Sequence, residues 1–144
     1  QMSQEISEFQ KLLDRQGIKY FSAKEVFFLG NSNSFLKCNA LPAQALWPNI
    51  IPTLYAADAI RERLGVPIQI LSGYRNEAYN KAIGGARNSL HTRFMALDIT
   101  AKVSIPDLVK IAKDVRNEKI FTGGIGTYAG FVHIDCGPLR NWHG

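Results

Sequence analysis

Apolar residues recur at three- and four-residue spacing in "QEISEFQKLLDRQ", residues 4–16, at Ile6, Phe9, Leu12 and Leu13. That spacing predicts an amphipathic helix, and Gly17 ends it. In "YFSAKEVFFLG", Ser22 followed three places on by Glu25 is a capping-box pattern and predicts a short helix. "NSNSF", residues 31–35, reads as a polar loop. The longest helix is expected from Pro48 to Leu64, with Ile50, Ile51, Leu54, Ala57, Ile60 and Leu64 on one side. Pro48 suits its first turn, Pro52 is close enough to the start to be tolerated, and Gly65 suits its exit.

The period then shortens. "VPIQILSGY" predicts a strand, "NEAYNKAI" a short helix stopped by Gly84 and Gly85, and "MALDIT" a second short strand. "SIPDLVKIAKDVRN" predicts a helix with Ser104 and Asp107 as capping pair and Leu108, Ile111, Ala112 and Val115 as its buried stripe. Two further strands, "GGIGTY" and "GFVHID", close the chain. Neither a repeat nor a linker interrupts it, so residues 1–144 are expected to form one domain. Helices first and short strands later predict an α+β fold, a small antiparallel or mixed sheet flanked by helices.

A chain of 144 residues can bury a core without staples, and 46% hydrophobic with 20% charged residues is an ordinary globular composition. No apolar run approaches the ~20 residues of a membrane span. No basic-then-apolar signal peptide is visible. The net charge of +5 comes from Lys and Arg dispersed along the chain, without the aromatic-interleaved basic stripe that single-stranded nucleic acid needs. Nucleic acid is therefore not an expected partner, whereas a mildly positive surface suits an anionic polymer. A monomer is expected. Cys38 and Cys136 lie far apart and form no CxxC pair; two free thiols or one disulfide are both open.

The chemistry concentrates in the two strands. Phe131, His133 and Asp135 alternate with Val132 and Ile134, so the polar members share a face once the aliphatic ones enter the core. In "MALDIT", Ala96 and Asp98 likewise lie opposite Leu97 and Ile99. His91 sits on the loop entering that strand, seven positions before Asp98. If the strands are neighbours, His91, Asp98 and His133 can converge. Two imidazoles and one carboxylate suit Zn²⁺ and leave a fourth position open to water. The helical HExxH signature of many zinc peptidases is absent.

"SGYRNEAYNKAIGGARNSLHTRFMALDI" resembles the SGYR…N…GG…SxH-x6-D core of the zinc D-Ala-D-Ala carboxypeptidases and related murein endopeptidases, the M15 metallopeptidases. "GGIGTYAGFVHIDCGPLRNW" resembles the C-terminal end of the same family. The resemblance covers residues ~66–142 with several motifs in order. It implies the fold of hedgehog-like D-Ala-D-Ala peptidases and a zinc ion held by His91, Asp98 and His133. It also implies hydrolysis of an amide in peptidoglycan stem peptides, as D,D-carboxypeptidase or endopeptidase. The work would be done in the cell envelope or periplasm, or by a phage-encoded lysis enzyme. Arg75, the SGYR arginine, would hold a substrate carboxylate or steady an oxyanion. Ser89 would bind the peptide or stabilise the turn, and Tyr128 would line the groove or pack.

Two positions depart from the family pattern. Phe94 stands where many relatives have glycine, and would narrow the cleft or fill the core. Gly130 stands where several relatives carry a catalytic acid, three residues before the last histidine. Asp135 is then a candidate for the base that moves the proton of the attacking water, or for an acceptor that orients a histidine; His143 is a weaker candidate base. The gap at Gly130 motivates an alternative, a zinc-containing module that binds peptidoglycan without cleaving it. A domain with hydrogen-bonded histidines and no metal is a third.

Overall fold

The computed structural model describes residues 2–30 and 38–144; the loop expected at 31–35 lies outside the described residues. Helix α1, Met2–Arg15, buries Phe9 and Leu13, with Ile6 and Leu12 packed beside them. Helix α2, Ala23–Val26, carries the reciprocal capping box of Ser22 and Glu25. The helix expected from Pro48 is two elements. A 3₁₀ turn spans Gln44–Ile50 with Pro48 inside it, and α3 spans Ile51–Leu64. Pro52 falls in the first turn of α3, where a missing N–H leaves no bond unmade. Gly65 takes the left-handed conformation at φ 75°, as a helix exit favours. At 14 residues, α3 is as long as α1 rather than the longest helix.

Strand β1, Ile68–Ser72, leads into α4, Glu77–Ala82, whose N-cap is Asn76. A 3₁₀ turn, Leu90–Arg93, precedes β2, Ala96–Ala101. Helix α5, Ile105–Asn117, is capped by Ser104. Strands β3, Gly124–Thr127, and β4, Val132–Asp135, follow as expected. A third closing strand, β5, Arg140–His143, was not expected: "RNWH" holds no β-branched residue and shows no clear alternation of apolar and polar.

The sheet order is β1-β2-β4-β3-β5, antiparallel except where β5 pairs in parallel with β3, so this is a mixed sheet in an α+β fold. Leu97, Ile99, Val132 and Ile134 are fully buried on the core face, in one apolar cluster with residues of α1, α3 and α5. The alternating positions Asp98, His133 and Asp135 occupy the other face.

Phe94 fills the core. Its ring is fully buried against Phe9, Phe27 and Tyr74, with centroids 5.9, 6.3 and 6.1 Å away. Its φ of 56° is left-handed, a conformation that glycine takes without strain. Among the described residues no helix is long and apolar enough to cross a membrane.

Candidate metal centre and cavity

Asp98 on β2 and His133 on β4 are direct partners in the antiparallel ladder, and the 3₁₀ turn before β2 carries His91 to the same face. Ser89 caps that turn by accepting the backbone N–H of His91 at 3.2 Å. One donor atom from each of His91, Asp98 and His133 lies within 4.8 Å of the others, and all three residues are buried. Asp98 Oδ1 is 3.1 Å from His91 Nε2 and 3.1 Å from His133 Nδ1.

The second nitrogen of each ring sets what the first can do. His91 Nδ1 lies 2.7 Å from the Gly73 carbonyl, an oxygen that can only accept. His133 Nε2 lies 2.7 Å from Asp135 Oδ2. Donating there leaves the lone pairs of His91 Nε2 and His133 Nδ1 turned toward the Asp98 carboxylate. Three electron-rich atoms then face one another, an arrangement that a cation between them relieves. The edge of a tetrahedron with ~2.05 Å bonds is about 3.3 Å, close to the observed separations. The donor set thus fits zinc.

Burial lowers the affinity of the His91 ring for a proton, and the nearby Asp98 offsets this only in part. Burial acts on His133 in the same direction, but hydrogen bonds to Asp135 and Asp98 outweigh it and raise its pKa. Burial would raise the Asp98 carboxyl; in acid, with no metal bound and both imidazoles protonated toward it, they outweigh that and hold it well below the usual carboxylate range.

Arg75 is turned onto Asp98. Its Nη2 donates to Asp98 Oδ2 at 2.9 Å, Nε to Ser72 Oγ at 3.0 Å and Nη1 to Asn80 Oδ1 at 3.1 Å. Asn80, which the sequence reading passed over, donates in turn to the Ala86 carbonyl at 2.8 Å.

Asp135 lies behind His133 and is fully buried. It accepts from the amides of Gly124 and Gly137, both at 2.9 Å, and from Arg140 at 3.0 and 2.8 Å. Burial pushes its carboxyl up, but His133, Arg140 and the two amides hold it well below the usual range.

The centre opens into a cavity of about 550 Å³, bordered by Arg75, Ser89, Tyr128, Phe131, Arg140 and Trp142 among others. Asp98 is the one carboxylate on its wall among the described residues. Gly130 contributes no side chain, and nothing lies within 4 Å of where its Cβ would be. His143 borders a different groove, beside α5. Cys38 and Cys136 are both free thiols.

Arg140 and Trp142 escaped the sequence reading together with β5. Both side chains lean across glycines of β3 to reach β4. Arg140 covers Gly124 and bonds Asp135, while Trp142 covers Gly126 and packs on His133 with ring centroids 5.0 Å apart. The indole N–H donates to the Tyr128 hydroxyl at 2.9 Å, and Tyr128 stacks on Phe131 at 4.5 Å. The signal was present in the register of "GGIGTY" with "RNW": two small residues every second place opposite two large ones.

A family model described as Peptidase M15 matches residues 30–135. The protein named "Peptidoglycan L,D-endopeptidase MepK" from Escherichia coli (strain K12) is 34% identical over 105 residues, covering 66% of this chain and 53% of that protein. "Probable peptidoglycan L,D-endopeptidase MepK" from Haemophilus influenzae is 29% identical over 104 residues, covering 67% and 54%. The chain spans about half the length of these curated relatives. The match runs from before β1 through β4 and so takes in His91, Asp98 and His133; the chain belongs to the Peptidase M15 family.

Proposed function

We propose that this chain is a zinc-dependent peptidase that hydrolyses an amide in the stem peptides of peptidoglycan. The observation that carries the reading is the convergence of the His91, Asp98 and His133 donors at the cavity floor. Its relatives are named as peptidoglycan L,D-endopeptidases, which supports an endopeptidase over a D,D-carboxypeptidase. That substrate puts the work in the cell envelope, for a host enzyme or a phage-encoded lysis enzyme alike. We read residues 1–144 as one domain acting as a monomer.

When bound, zinc supplies Lewis-acid polarisation of the scissile carbonyl and activation of water. His91, Asp98 and His133 hold it. Arg75 positions Asp98, and its remaining Nη protons on the cavity wall can steady a developing oxyanion. Asp135 orients His133: both its oxygens are engaged by donors, so we assign it the positioning role rather than that of the base. Ser89 holds the turn that delivers His91. The Tyr128 oxygen accepts the indole proton, which leaves its own proton for a substrate carbonyl.

A second reading, a zinc-bearing module that binds peptide without cleaving it, rests on Asp98 being the one cavity carboxylate among the described residues. Elemental analysis followed by incubation with purified peptidoglycan separates the two. New amino termini released in proportion to bound zinc support the peptidase. Zinc without release supports the module, and release unchanged after metal removal overturns both.

A further inference from the structure

Two guanidinium groups border the cavity, and they are used differently. The Arg75 side chain is 14% exposed and bonds through all three nitrogens, whereas that of Arg140 is 39% exposed. Arg140 Nη1 spends its two protons on Asp135 Oδ1 and on the Pro138 carbonyl at 2.8 Å. Its Nη2 spends one proton on Asp135 Oδ2. The Nε proton and the second Nη2 proton, which together form the side-on fork of the group, have no hydrogen-bond partner among the described residues.

That fork is held in place before any ligand arrives. Asp135 grips the opposite edge with both oxygens, the Trp142 ring lies 4.8 Å from Cζ, and the group rests over Gly124, where a Cβ would collide with it. A planar, pre-oriented pair of N–H donors on a cavity wall matches a carboxylate in two-pronged geometry. Asp135 already balances the charge of Arg140, so recognition rests on the geometry of the fork. The fork is two hydrogen bonds from His133, through Asp135. On an extended peptide rising ~3.3–3.6 Å per residue, that is one or two residues from the cleaved bond.

We propose that Arg140 forms a carboxylate subsite, so that the preferred substrate is a peptide with a free carboxylate within one or two residues of the scissile amide. The proposal rests on the peptidase reading. The carboxylate belongs either to a C-terminal residue or to a diamino acid inside a cross-link, and the geometry of the fork serves both.

The test compares matched peptidoglycan fragments, each prepared with that carboxylate free or as the carboxamide. One pair carries the change at the C-terminus and the other within a cross-link. Wild type is expected to favour the free carboxylate by about 10- to 100-fold in kcat/KM for one of the pairs, which identifies the source. Arg140→Gln is expected to bring that ratio near one, and Arg140→Lys, which keeps charge but loses the fork, to restore it only in part. If Arg140 merely braces Asp135, both fragments lose equally in Arg140→Gln and the ratio stands, which overturns the subsite. A wild-type ratio near one in both pairs also overturns it.

Calorimetric binding of the same pairs, with the scissile amide replaced by an uncleavable isostere, to wild-type protein gives a readout independent of turnover and of the variants' folding. Tighter binding of the carboxylate forms supports the subsite, and equal binding overturns it. Binding preference without hydrolysis by wild type sinks the peptidase reading while leaving the subsite standing.

Discussion

Oδ1 of Asp98 lies 3.1 Å from Nδ1 of His133, and the two residues face each other across the β2–β4 ladder. The proposed shared metal would explain why a carboxylate and an imidazole are buried together on the cavity side of the sheet. Asp98→Asn keeps the volume and removes the charge. Metal content is expected to fall from about one ion per chain to a small fraction of that, with far-UV circular dichroism unchanged. His133→Ala should do the same. Elemental analysis after dialysis checks both, and full metal content in either variant would remove His91, Asp98 and His133 as the ligand set.

In the proposed site Asp135 acts at one remove. It fixes the face of His133 through a 2.7 Å hydrogen bond and takes no place on the cavity wall. Asp135→Asn is expected to weaken metal binding by about 10- to 100-fold, as measured by competition with a chelating dye. Were Asp135 the base instead, turnover would collapse while metal affinity stayed within about twofold of wild type.

The same carboxylates set the acid limit of the metal-free fold. Asp98 and Asp135 are both held below the ordinary aspartate value of 3.8. A depressed carboxyl contributes stability that is fully present above its unfolded pKa and lost as pH falls through its folded one. His91 is lowered and His133 raised, so their contributions run in opposite senses. Urea unfolding of chelator-treated protein should therefore show no carboxylate contribution to any change of stability between pH 7 and 5. Below about pH 4 the loss should reach the order of 2 kcal/mol per carboxylate. A flat profile down to pH 2 would show that neither group is depressed.

Much of the centre was legible because a strand exposes alternate residues to opposite faces. Val132 and Ile134 identified the core side, and His133 and Asp135 followed on the other. What alternation could not supply was the identity of distant partners. Arg75 meets Asp98 through a bond spanning 23 positions, and nothing local marks an arginine as a brace rather than a substrate clamp. Strand β5 escaped because its sequence lacks β-branched residues and its place depends on pairing with β3. The split at Pro48 was obscured because the proline reads as the first turn of the following helix, whereas it lies inside the preceding 3₁₀ element.

Phe94 bears on stability rather than on the width of the cleft. Its ring belongs to the aromatic cluster of Phe9, Phe27 and Tyr74. Phe94→Ala is expected to destabilise by about 3–5 kcal/mol, since a buried ring is lost and the left-handed backbone remains. Phe94→Gly should cost less, by up to about 1 kcal/mol, because glycine adopts φ 56° freely. In folded protein, KM for peptide should stay within about threefold of wild type. A large fall in KM would mean that the ring obstructs the cleft.

Gly126 tests whether the cavity wall depends on close approach of β5 side chains. The residue pairs with His133 on one side and Trp142 on the other. A Cβ there would stand 2.5 Å from the indole ring, closer than side chains approach, so the ring must shift. Gly126→Ala should therefore cost about 1–3 kcal/mol and tilt Trp142 off His133. The hydrogen bond from the indole to the Tyr128 hydroxyl, 2.9 Å in the native arrangement, would break. Tryptophan indole N–H resonances offer a direct check. The Trp142 signal should move toward the shift of a solvated indole, while that of Trp47, bonded to the Pro42 carbonyl on the far side of the core, should not. Turnover should fall by about tenfold or more with metal content retained, because His91, Asp98 and His133 keep their places while the wall proposed to position the peptide is displaced. Unchanged turnover alongside a shifted Trp142 signal would show that the aromatic wall packs against the centre without taking part in substrate positioning.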